Sequence, residues 1–236
     1  MKPNQSARLI TFSGIDGAGK STQIAALENA LSTRGLHIAA ISFWDNVAVL
    51  PRFRAGASLR MLRPQPEREQ SVPLRNDKNV RAWYLTVVRA GFYVLDAWRL
   101  RKLVARLQRS GVDFIVLDRC SYDQLVHIRS RRRLARAYMR AVLSVAPKPD
   151  IAFVLDACPD EAFSRKPEYP LPFMHEYRQA YLDLRQFAPE IRVIAPGAVD
   201  DVRRRILEFV LTNEANSRET SASASDEHAV FLSNSP

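Results

Sequence analysis

Cysteine is scarce in this chain: Cys120 and Cys158 are the only two among 236 residues. Neither has a second cysteine at metal or redox spacing, which excludes a disulfide framework, a zinc module and a CxxC redox centre. The four histidines, His37, His127, His175 and His228, are scattered and form no ligand pattern. No apolar run approaches the ~20 residues that span a bilayer. The opening MKPNQSAR has no apolar segment of its own, so no signal peptide is expected. These absences point to a cytoplasmic protein without a structural metal. Glycine is sparse too, with eight residues, yet three of them, Gly14, Gly17 and Gly19, fall in one short stretch.

What is present is a hydrophobic content of 47%, enough in a chain of this length for one full α/β domain with a real core. The formal charge of +10 suits nucleic acid, an anionic membrane surface or small phosphorylated ligands. The charge is uneven, because RSRRRLARAYMR (129–140) carries six arginines and no acid. Residues 213–236 are serine-rich and poor in large apolar residues, and read as a disordered tail. Residues 1–7 read as a short extension, and 8–212 as the folded domain.

Five apolar runs read as buried strands: RLITFSG (8–14), HIAAISFW (37–44), DFIVLD (113–118), DIAFVLDA (150–157) and IRVIAP (191–196). Most are continuously apolar, as parallel strands covered on both faces are. Helical patterns separate them. Ile24, Leu27 and Leu31 share one face, closed at Gly35; Leu100, Leu103, Val104 and Leu107 share another, closed at Gly111. Leu134, Tyr138, Ala141 and Val145 mark the expected buried face of a third. The alternation predicts a doubly wound α/β fold: a parallel five-stranded sheet with helices on both faces. The segment Pro51–Asn79, rich in proline and arginine, reads as a substrate flap or a structured insertion.

Gly14-Ile15-Asp16-Gly17-Ala18-Gly19-Lys20-Ser21 fits G-x-x-x-x-G-K-[ST], between a strand and a helix. In such a loop backbone N–H groups curl around phosphate, Lys20 reaches the β- and γ-oxygens, and the Ser21 hydroxyl takes Mg²⁺. Gly14, Gly17, Ala18, Gly19, Lys20, Ser21 and Thr22 are therefore the expected ATP-binding set, with ATP and Mg²⁺ as cofactors. A P-loop NTPase follows.

The stretch FSGIDGAGKSTQ resembles the P-loop of thymidylate kinases and related nucleoside monophosphate kinases. VLDRCSYDQ (116–124) resembles that family's strand-end Asp-Arg signature. VLDACPDEAFSRK (154–166) resembles its last core strand and the helix leading into a lid, here about 158–176. EYRQAYLDL (176–184) is similar to the helix after the lid. The resemblance implies phosphoryl transfer from Mg-ATP to a nucleoside monophosphate, dTMP above all. It implies that Asp118 organises Mg²⁺ directly or through water, Arg119 holds the acceptor phosphate, and Asp16 bonds the acceptor sugar. Arg165 and Lys166 open the lid, and one of them closes on the transferring phosphoryl. The P-loop position that could carry a cation is Gly17, so the lid is expected to supply it. Arg165 leads, because a planar fork clamps phosphate better than an ammonium. Each assignment has a plainer alternative: a surface ion pair for Asp118–Arg119, loop stabilisation for Asp16, a solvated helix end for Arg165–Lys166.

Two departures concern the acceptor. The family's base-stacking Phe falls on Phe92, which could equally be core, and its base-reading Arg falls on Asp96. A carboxylate cannot donate to a thymine carbonyl; Arg89 or Arg99 would have to compensate. The second strand ends in SFWDNV, where the family has an arginine-containing turn. Trp44 there either stacks on a substrate ring or caps the core, with core capping expected, and Arg52 and Arg54 could restore a phosphate contact. Two alternatives stand beside the dTMP reading: a P-loop kinase of another acceptor (another nucleotide, a nucleoside or a sugar phosphate), and an ATP-binding regulatory protein without kinase activity. The arginine cluster reads as a solvated face or as electrostatic focusing of anionic substrates, and no nucleic-acid partner is expected, since no RNA-binding signature accompanies it. WYLTVVRAGFYVL (83–95) is either a homodimer interface or an intrachain core helix.

Overall fold

A computed structural model describes residues 7–47, 83–126, 128 and 133–214. The expectations placed on Pro51–Asn79, Arg52, Arg54, Arg129, Arg131, Arg132 and the tail beyond 214 lie outside these residues.

The five apolar runs form strands, each shorter than its run: β1 (Arg8–Ser13), β2 (Ile38–Ser42), β3 (Phe114–Asp118), β4 (Ile151–Leu155) and β5 (Ile191–Ile194). They make one sheet in the order β2-β3-β1-β4-β5, with every pairing parallel. Continuous apolarity has the expected cause. In β1, Leu9 faces one core and Ile10 and Phe12 the other; in β3, Ile115 and Leu117 oppose Phe114 and Val116.

One core is covered by α1 (Lys20–Ser32) and by α8, residues 199–214, through Ile24, Leu27, Leu31, Ile206 and Val210. The other is covered by α3 (Trp83–Leu107), α5 (Arg133–Val145) and α7 (Leu171–Asp183). Shorter helices sit at strand ends: α2 (Phe43–Asn46), α4 (Ser121–Leu125) and α6 (Pro159–Arg165). A 3₁₀ turn, Leu184–Gln186, leads into β5. α8 runs two residues past the expected start of the tail.

Two helix-face expectations are corrected. On α5 the buried residues are Met139 and Val142, while Leu134 is 85% exposed and Ala141 is exposed. Tyr138 and Val145 do pack, partly buried, against this core, and the Tyr138 hydroxyl donates to the Ala90 carbonyl of α3 at 2.7 Å; Leu134 and Ala141 fall outside that face. Trp44 does not cap the core either. Phe43 fills that place, fully buried, and Trp44 stays 40% exposed, edge-on to the Phe43 ring at 5.6 Å.

The chain leaves β1 for β2 on one side of the sheet and later crosses from β3 to β4 on the other. The strand order therefore reverses at β1, and the crevice at its carboxyl end is where a doubly wound sheet binds its ligand. Ser13-Gly14, Ser42, Asp118 and Asp156 all stand at that edge, with Asp118 in register with Phe12 and Ser42.

Candidate active site

The loop between β1 and α1 is shaped by its glycines. Gly14, Gly17 and Gly19 have φ of 138°, 83° and 85°, a region that disfavours side chains. A Cβ on Gly14 would sit 2.5 Å from the Leu155 carbonyl oxygen, and one on Gly17 would strike the carbonyl oxygen of Ala162 on α6. The lid-leading helix is thus packed directly on the P-loop and leaves no room for a side chain at position 17. α1 opens at Gly19 with no side-chain cap and no acid in its first turn. Its first N–H groups and positive end are left for an anion. Ser21 and Thr22 lie exposed at that opening, and Ala18 is half-buried beside it.

Lys20 is 7% exposed and folds back over the loop, donating to the carbonyls of Gly14 and Ile15, each at 2.9 Å. Burial, and then the nearby Arg119 charge, bring its pKa down to about 8, against the opposing pull of Asp123, Asp16 and Asp118.

Arg119 is the one non-glycine residue with positive φ among the described residues, at 68°. A side chain there is strained. The turn is held by the Arg119 N–H donating to Phe12 O at 2.9 Å, and it swings the guanidinium back over the P-loop. One guanidinium nitrogen, Nη2, pairs with Asp16 Oδ1; the other, Nη1, lies 3.4 Å from Asp123 Oδ1. Burial works against this charge, and Asp123, Tyr181, Asp16 and Asp118 outweigh it, so the guanidinium stays protonated. Next to it, Asp118 Oδ1 is buried without a hydrogen-bond partner among the described residues. A buried carboxylate oxygen facing no donor is what a metal ion or its bound water would satisfy. Asp118, with the Ser21 hydroxyl across the loop, thus fits Mg²⁺.

The two lid cations separate. Arg165 turns outward and binds Glu161 on its own helix, Nη2 to Oε2 at 3.3 Å, with the side chain 53% exposed. Lys166 caps α6 and pairs with Glu168 at 2.9 Å, and that hydrogen bond holds its pKa above the ordinary lysine value. Its side chain is 52% exposed, as open as that of Arg165. The acceptor-side residues lie on α3: Phe92 is half-buried, and Asp96 is fully buried with the Gln124 amide donating to Oδ2 at 2.6 Å. Trp44 and the exposed Asp45 stand at the end of β2.

The structure therefore brings Asp16, Lys20, Asp118 and Arg119 around one loop. It turns Arg165 away, and it sets Asp96 into a buried pair with Gln124. Sequence reasoning assigned no role to Asp123, Tyr181, Asp156 or Arg178. Arg178 grips Asp156 with two bonds, of 2.6 and 2.7 Å, and so ties α7 to the end of β4. Asp123 and Tyr181 both stood inside the quoted motifs, but only the fold joins them. Beside Asp123, burial and that carboxylate push the Cys120 thiol up to about 12, so it remains a thiol.

Comparison with known proteins agrees with this geometry. No family model matches the chain. A thymidylate kinase of Pelodictyon phaeoclathratiforme is 28% identical over 218 residues, covering 82% of this chain and 89% of that protein. One from Chlorobaculum parvum is 30% identical over 173 residues, covering 71% of this chain and 70% of that one. A solved structure of thymidylate kinase from Candida albicans superposes with a TM-score of 0.62 at 21% identity, over 89% of this chain and 93% of that chain, a likeness of fold. With the phosphate loop, the parallel sheet and these relatives in hand, the chain is a P-loop nucleotide kinase belonging to the thymidylate kinase family.

Proposed function

We propose that this protein transfers the γ-phosphoryl group of Mg-ATP to the phosphate of dTMP. The observation that carries the reading is the gathering of two cations, Lys20 and Arg119, on the Asp16 carboxylate beside a cap-free helix N-terminus. Phosphoryl transfer asks little of a protein besides alignment and neutralisation of charge. Lys20 would leave the carbonyls of Gly14 and Ile15 for the β- and γ-oxygens of ATP. Arg119 would leave Asp16 for the acceptor phosphate, which frees Asp16 for the acceptor sugar. Mg²⁺, held by the Ser21 hydroxyl and by Asp118, would supply further neutralisation of the ATP phosphates. Lys166, released from Glu168, would serve as the lid cation on the transferring group in place of Arg165, which is held by Glu161. No covalent intermediate is needed, and closure of the lid would keep water out.

A second reading keeps the reaction and changes the acceptor. It is favoured by Asp96, a hydrogen-bond acceptor buried where the family places a donor. Release of ADP from Mg-ATP, measured against dTMP, dUMP, other nucleoside monophosphates, nucleosides and sugar phosphates, separates the two. Turnover of dTMP above the rest is expected. Lys20→Ala should lower it by about 10²–10³-fold, as loss of one charge-stabilising donor does. Unchanged turnover in that variant would contradict the assignment.

A homodimer through α3 belongs to the same proposal. Leu95 and Trp98, one turn apart, are each 48% exposed on that helix. Sedimentation at micromolar concentration should give twice the chain mass, and a monomer there would remove the dimer.

A further inference from the structure

The side chain with the largest unexplained share of hydrogen bonds is Asp123. It is 3% exposed, and both carboxylate oxygens are occupied. Oδ2 accepts from the Ser13 hydroxyl at 2.7 Å and from the Cys120 N–H at 2.9 Å. Oδ1 accepts from the Tyr181 hydroxyl at 2.7 Å and faces Arg119 Nη1 at 3.4 Å. The four donors come from β1, the turn after β3, and α7. A buried carboxylate saturated in this way has little freedom to move. Arg119, by contrast, divides its two terminal nitrogens between Asp123, which is locked, and Asp16, which lies on the loop itself.

Tyr181 extends this arrangement toward the lid. Tyr169, Phe173, Tyr177 and Tyr181 recur at every fourth residue, with successive ring centroids 5.2, 4.3 and 6.2 Å apart. Tyr169 lies just after Lys166 and Glu168, in the turn between α6 and α7. One stack of rings therefore runs from that turn to the hydroxyl bound to Asp123. Burial, and then the Asp123 charge, keep that hydroxyl protonated, with its pKa well above the ordinary tyrosine value.

We propose that Asp123, backed by Tyr181, is the positioning residue for Arg119: it keeps one guanidinium nitrogen in place while the other exchanges Asp16 for the acceptor's phosphate, and it ties that exchange to the lid through α7. The proposal rests on the reading of Arg119 as the acceptor-phosphate ligand. No proton moves and no bond other than hydrogen bonds changes.

The test uses Asp123→Asn, equal in size but uncharged, and Tyr181→Phe, which removes one hydroxyl. At pH 6.5, where Lys20 holds its proton, Asp123→Asn should raise KM for dTMP about 10- to 100-fold, as misplaced binding groups do. Tyr181→Phe should raise it by a smaller factor in the same direction. In both variants kcat should fall by a smaller factor than KM for dTMP rises, a split that loss of folded protein, which lowers kcat and leaves KM unchanged, would not produce. A third readout needs no turnover: the guanidinium NMR signal of Arg119, identified by its loss in Arg119→Lys. Its hydrogens should exchange faster with solvent in both variants, and its response to added inorganic phosphate should weaken. If Asp123→Asn fails to fold, Tyr181→Phe alone decides. Unchanged KM with an unchanged Arg119 signal in a folded variant would overturn the proposal. A wild-type protein inert toward every acceptor, yet showing the Arg119 changes, would instead overturn the proposed function and leave the positioning role standing.

Discussion

Lys20 carries the sharpest residue-scale consequence. Its burial lowers the pKa from 10.5 to about 8, so in the free protein it is charged below that pH and neutral above it. The charged form is the one that can meet ATP phosphates. kcat/KM for ATP is therefore expected to fall above about pH 8, roughly tenfold per unit, whereas kcat should hold to higher pH because bound phosphate raises the lysine's affinity for its proton. Stability carries the opposite sign. The unfolded chain keeps this proton until about 10.5, so burying the charge weakens the fold below pH 8, and that penalty is relieved as pH rises from 8 to 10.5. A pH–rate profile with no limb near 8 would contradict the assignment. Gly14, Lys20, Asp118 and Arg119 were legible in the sequence because each belongs to a short motif whose chemistry is local. Asp123 was not. Its function depends on Ser13 and Tyr181, 110 and 58 residues away, and spacing along a chain does not reveal a meeting of that kind.

Elements decide between the two lid cations. α6 ends at Arg165, whose side chain points back along its own helix to Glu161, an i, i+4 pair at the surface that adds little stability. The next residue leaves the helix, with φ −150°, and Lys166 pairs beyond it with Glu168. A planar fork favours Arg165 on chemistry; because Arg165 is held by Glu161 on its own helix, the lid role proposed above goes to Lys166. Lys166→Ala should therefore lower kcat at least about tenfold, against less than about twofold for Arg165→Ala, in single-turnover phosphoryl transfer. Equal losses would undo this distinction. The face of α5 shows the same limit. Leu134 is apolar enough to be counted into a stripe, yet it stands exposed at the start of α5, and hydropathy alone does not say which apolar residues a neighbour covers.

At the scale of the molecule, the sheet was the most legible feature. Five runs apolar on both faces require cover on both sides, and helix-length segments between them leave a parallel order as the simple solution. The order β2-β3-β1-β4-β5 then places the loop after β1 where the connections diverge, and the ends of β2, β3 and β4 beside it. Less legible was the acceptor side, since it draws on α3, α4 and the end of β2 together. Asp96 meets Gln124 across 28 residues, and no periodicity announces that pair. Among the described residues no helix is long and apolar enough to cross a membrane, and no cluster of His, Cys, Asp and Glu could hold a metal by itself. The measurement that tests the account most directly is the identity of the product formed from Mg-ATP and dTMP, followed by phosphorus NMR with Lys20→Ala alongside. The account predicts dTDP and ADP in equal amounts from the wild-type protein and almost none from the variant. Phosphate released without dTDP, or dTDP formed equally well without Lys20, would contradict it.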